Sequence, residues 1–137
     1  MGKRNYELRV SSIESFWPNG NQKSKTKFDA HEKEAYTINY DEQGRPLNGV
    51  CGDFMTWQMI DSNTIKITGD GDMDDFSSHV LPPWHEHEIT SVIVGEGVKS
   101  IGKYAFSAVI TNASVNKVKL PASPCYVPSS AFEGNAL

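Results

Sequence analysis

The chain has 137 residues, a formal net charge of −4, 22% charged and 38% hydrophobic side chains. That bounds it to about one domain with an ordinary polar surface, and excludes a basic nucleic-acid face, an acidic tail and any membrane-spanning apolar run. Lys3 and Arg4 open the chain without an apolar stretch behind them, so the amino end does not read as a secretory signal. The chain is expected to be secreted or at the cell surface if a signal has been removed, and cytoplasmic if Met1 is its natural start.

Residues 1–48 read as a β-rich segment. Tyr6, Leu8 and Val10 alternate with the charged Glu7 and Arg9, the pattern of a half-buried strand. Phe16-Trp17 is followed by the turn residues Pro18-Asn19-Gly20, and Gln22 to Lys27 reads as an exposed polar loop with Lys23, Lys25 and Lys27 in it. Tyr36, Ile38 and Tyr40 share one face of a second strand, and 41–46 is a turn. Phe16 and Trp17 are candidate binding anchors, set against a core-packing role that suits such large side chains.

Residues 49–88 read as a capping hairpin and the entry to a solenoid. Strands are expected over 54–59 and 64–68, with Asp61-Ser62-Asn63 turning between them. Asp70, Asp72 and Asp74 alternate like the first half of a calcium loop, but Asp75 stands where the loop needs glycine and Leu81 where it needs the closing glutamate. His85 and His87, with His79 nearby, are zinc candidates that lack the third or fourth ligand of a prepared site. Neither set amounts to a metal site, and no cofactor is implied. The two cysteines, Cys51 and Cys125, are either separate partly buried thiols, which is preferred, or one disulfide.

Residues 89–137 carry two copies of one pattern. Ile89, Val92, Val94, Ile101, Ala105 and Phe106 recur 26 residues later as Val115, Val118, Leu120, Val127, Ala131 and Phe132. Within a copy, Val92 and Val94 are spaced as on a strand, Gly95-Glu96-Gly97 turns the chain, and Val98 to Phe106 reads as a tight or short helical return. A fixed period of this size is the mark of a solenoid, in which each repeat buries its apolar face on its neighbours. Gly69 and Gly71 lie 26 residues before Gly95 and Gly97, so the hairpin reads as a degenerate zeroth repeat. The last coil has no cap, which leaves its strand as an open edge and is read as truncation or as pairing with another copy through that edge.

The words ITSVIVGEGVKSIGKYAF and VNKVKLPASPCYVPSSAF resemble repeats of the BspA-like leucine-rich-repeat family, and GVCGDFMTWQMIDSNTIKITGDGDMDDF with Pro83-Trp84 is similar to the segment that precedes them. The resemblance covers about residues 49–137, and the second copy departs from it at Pro124, Cys125 and Pro128. It implies a mainly β fold with short helical returns: a short leucine-rich-repeat solenoid with an N-terminal β-hairpin cap. It also implies a bacterial cell-surface adhesion or interaction role.

Ser107, Ser129 and Ser130 have no nucleophile elbow around them, and no glycine-rich phosphate loop is present, so the chain does not read as an enzyme. The function that fits is a non-catalytic protein-protein interaction module with Thr90, Ser91, Ile93, Asn116, Lys117 and Lys119 as the contacts and an unidentified protein as partner. The alternative is a small intracellular binder or inhibitor, of a mobile-element kind, acting through residues 1–48.

Overall fold

The computed structural model describes residues 12–28 and 35–135. The strand expected through Tyr6, Leu8 and Val10 lies outside them. The chain divides between Gly44 and Arg45 into two compact units.

The described part of the first unit is a three-stranded antiparallel sheet in the order β1 (Ser12–Phe16), β2 (Gln22–Phe28), β3 (Ala35–Asn39). The stretch read as an exposed loop, 22–27, is therefore the central strand. Lysines alternating with Ser24 and Thr26 have strand periodicity without an apolar face, so the hydrophobic pattern did not signal it, while the backbone is paired on both sides. The β1–β2 turn closes through Gly20 N–H to Trp17 O at 2.9 Å, and Asn19 and Asn21 side chains both donate to Glu42 O.

The second unit is built on a five-stranded mixed sheet in the order β10-β8-β6-β5-β4. Here β4 is Asn48–Gly52, β5 Met55–Met59, β6 Thr64–Gly69, β8 Ser91–Val94 and β10 Lys117–Lys119. β4, β5 and β6 pair antiparallel, while β6, β8 and β10 pair parallel, with Ile65 opposite Val92 and Val92 opposite Val118. A second, two-stranded parallel sheet joins β7 (Gly71–Asp72) to β9 (Val98–Ser100). Gly97, at φ 97°, makes the turn from β8 to β9.

Alternation decides what is buried. Met55 and Trp57, Ile65 and Ile67, and Val92 and Val94 point inward and are almost wholly buried. Behind them Trp84 is the hub of an aromatic ladder. It meets Trp57 and Phe76 edge-on, at 5.4 and 5.6 Å, and stacks on Phe106 at 5.2 Å, which stacks on Phe132 at 5.4 Å. The Trp84 indole N–H is satisfied by Ala105 O at 2.8 Å. Such ring pairs add about 0.5–1.5 kcal/mol each beyond the area they bury.

The expected solenoid with short helical returns is not the fold. Among the described residues there is no helix, and the strands form three separate sheets with both antiparallel and parallel pairing. The return segments are turns because their backbone groups are used sideways. Phe106 N–H donates to Ala131 O, Ala108 N–H to Glu133 O, and Phe76 N–H to Lys103 O, so these groups are not available to bond up a helix. Tyr104, at φ 60°, also breaks the helical backbone within the Lys103–Phe106 turn. Among the described residues no helix is long and apolar enough to cross a membrane.

Candidate binding surface

The outward side chains of the five-stranded sheet fall into rows set by strand register. Asn48, Gln58, Lys66, Ile93 and Lys119 form one row across all five strands. Thr64, Ser91 and Lys117 form a second, and Val50, Thr56 and Thr68 a third. Neighbouring strands lie about 4.8 Å apart, so Lys66 and Lys119 flank Ile93 at close range. Lys66, Lys117 and Lys119 are exposed, Ile93 and Ser91 half-buried. Thr56 and Thr68 tie their hydroxyls together at 3.0 Å. None of these outward positions is a carboxylate, although the chain is acidic overall.

Of the sequence-derived contacts, Ser91, Ile93, Lys117 and Lys119 come together on this face. Thr90 and Asn116 lie one residue ahead of their strands, joined by Asn116 N–H to Thr90 O at 3.0 Å. Sequence reasoning missed Lys66, with Thr64 and Thr68, because it assigned residues 64–68 to a cap. The signal was present: Ile65 and Ile67 alternate with Lys66, and the inward pair fixes the lysine as outward.

Phe16 and Trp17 lie in the first unit. Phe16 is 58% exposed, while Trp17 is half-buried, donates its indole N–H to Tyr40 O at 3.0 Å and carries the Lys23 ammonium 5.1 Å over its ring.

The acidic run is tied into local structure. Asp72 accepts the Ser100 hydroxyl and Asp75 accepts the Lys103 N–H, each at 2.9 Å, while Asp70 N–H donates to Phe54 O and Asp74 N–H to Cys51 O. His85 Nδ1 lies 2.9 Å from Pro82 O, and the buried His87 has Nε2 2.6 Å from Pro46 O. Each imidazole is thus engaged with a backbone carbonyl. Among the described residues no group of three or more His, Cys, Asp or Glu side chains converges to hold a metal.

Cys51 and Cys125 are both free thiols. Burial, with the Asp74 carboxylate adding to it, pushes the Cys51 thiol up to about 12, and burial also raises Cys125. Both are thereby poor nucleophiles at neutral pH. Glu96 is held below the ordinary carboxylate range by the Ala122 N–H and by the Ser123 hydroxyl.

No protein-family model, no curated protein and no solved structure matches this chain.

Proposed function

We propose that this chain is a non-catalytic protein-binding module whose contact surface is the outer face of the five-stranded sheet. The observation that supports it is the segregation of charge. In a chain of net charge −4, Lys66, Lys117 and Lys119 surround Ile93 on one sheet face where no outward residue is acidic. A pleated face with an apolar centre and a cationic rim suits an acidic patch on a protein partner, since complementary charge steers encounter and fixes register. The reading agrees with the adhesion role that the BspA-like resemblance implies, and a secreted or cell-surface setting belongs to the same proposal.

The test is a photo-crosslinking residue at position 93, in the intact chain and in the double variant Lys117→Glu, Lys119→Glu. Crosslinking to a partner should fall about tenfold in the double variant, the equivalent of about 1.4 kcal/mol. Undiminished crosslinking overturns the choice of face.

The second reading, a small intracellular binder acting through residues 1–48, draws on the exposure of Phe16 beside Trp17. Partner binding lost in Phe16→Ala, Trp17→Ala but kept in the lysine double variant would favour it.

A further inference from the structure

We propose that the chain associates head to tail: the β4–β5 hairpin tip of one copy, with Phe54 at its point, docks on the lysine face of the next. The inference rests on the reading of that face as the contact surface, and it names the partner as a second copy.

Phe54 occupies the turn between β4 and β5 at φ 61°, a left-handed backbone that suits glycine and strains a bulky residue. Its side chain is 84% exposed, the highest value among the large hydrophobic side chains of the described residues, so burial within the chain does not offset that strain. The surroundings hold the conformation. Asp70 N–H donates to Phe54 O at 3.0 Å, and Gly69, lacking a Cβ, lets that carbonyl seat. On the other side of the turn Asp74 N–H donates to Cys51 O at 2.8 Å, and the adjoining Met55 is fully buried. The tip is thus a rigid mount for an aromatic side chain in water. Backbone outliers of this kind cluster where function needs them.

Charge chooses the occupant. Asp53 is the neighbour of Phe54 in sequence and Asp70 is one hydrogen bond away; both are exposed, as is Asp72 in β7. An aromatic point in an acidic rim calls for an apolar seat in a basic rim. The sheet face supplies it in Ile93, set between Lys66 and Lys119. Those two lysines stand two strand spacings apart, about 10 Å, which leaves room for one phenyl ring with a carboxylate on either side. Two-fold pairing of tip on tip, or of face on face, would set like charges together, which is costly. One sheet carries both patches, Phe54 at its β4–β5 end and Ile93 and Lys119 on β8 and β10, so the tip cannot reach its own face. The contact is therefore heterologous, and it propagates as an open chain of copies or closes in a ring. One aromatic anchor and a few ion pairs make a small interface of the weak, transient class, and salt screens its ionic part.

The test is sedimentation equilibrium of the whole chain, up to about 1 mM protein. Average mass should rise with concentration at low salt, without a plateau at the dimer, and fall to that of the monomer in about 1 M salt. Phe54→Gly should weaken association at least about tenfold. It should not lower the melting temperature, because glycine accepts the left-handed backbone and no buried contact is lost. Asp53→Lys with Asp70→Lys, and Lys117→Glu with Lys119→Glu, should each leave a monomer. An equimolar mixture of these two double variants should associate again, since the tip of each finds a face of opposite charge on the other. The mixture decides alone if Phe54→Gly fails to fold. Association that Phe54→Gly leaves unchanged, or a mixture that stays monomeric, overturns the pairing of tip with face. A wild-type chain that is monomeric throughout overturns it too; lysine-dependent crosslinking from position 93 to a different protein would then leave the sheet-face reading standing.

Discussion

Gly102 occupies a place where no side chain fits, since a Cβ there would overlap the Asp74 carbonyl oxygen and crowd the Asp75 backbone. The obstruction is main chain, so relief requires the 74–75 and 102–103 segments to part, and with them the Phe76 N–H to Lys103 O and Lys103 N–H to Asp75 bonds. Gly102→Ala should therefore destabilise the second unit by about 2 kcal/mol or more, read as a lower urea midpoint at unchanged slope. At the corresponding place in the next copy stands Pro128, also buried. Proline has no N–H and a fixed φ, and its carbonyl accepts from Ala131 N–H at 3.0 Å. Two different residues thus serve the same kind of turn, and only one of them needs to be small.

At the scale of elements, one link between successive copies outside the sheets is Glu96, whose carboxylate accepts Ala122 N–H at 2.6 Å and the Ser123 hydroxyl at 3.1 Å. These bonds favour the ionised form, so the folded-state value lies below the ordinary 4.5. A group shifted downward contributes stability that is fully present above its unfolded value and is lost as pH falls through its folded value. Melting temperatures of the wild type and Glu96→Gln should differ at pH 7 and converge as pH drops below 4.5; a gap that persists unchanged in acid would rule out this carboxylate as the link.

The elements also show what the sequence could disclose. Strands β5, β6 and β8 were legible because Met55 and Trp57, Ile65 and Ile67, and Val92 and Val94 each alternate, and one buried face per strand fixes register. The lysine face followed from the same alternation wherever it was applied, at Lys117 and Lys119, and was missed at Lys66 where it was not. The returns were legible only in part, since a tight turn was one of two readings and the helical one fails. Val98, Ile101, Ala105 and Phe106 have spacings that suit a helix, but which carbonyl each N–H finds is settled by the neighbouring layer: Ile101 N–H by Tyr126 O and Phe106 N–H by Ala131 O. Periodicity over a short window carries no information about partners 25 residues away. β2 was hidden for the opposite reason, having a strand's period without an apolar face.

At the scale of the whole molecule each unit has contacts and indoles of its own. The second has a continuous core running from Met55 and Trp57 through Trp84 to Phe132. The described part of the first carries cross-strand polar contacts, such as Ser15 with Ser24 at 2.7 Å and Glu14 with Lys25 at 4.0 Å, which are worth little when exposed. Trp17, held by Tyr40 O and Lys23, is the first unit's own indole, whereas Trp57 and Trp84 belong to the second. Two indoles with centroids 5.4 Å apart and planes at 70° are chirally disposed chromophores. Their transition dipoles mix, and the protein should show an exciton couplet in circular dichroism that Trp84→Phe erases. The ladder that fills the core therefore gives the second unit an optical signature of its own, and a heating experiment followed at the couplet reports the melting of that unit.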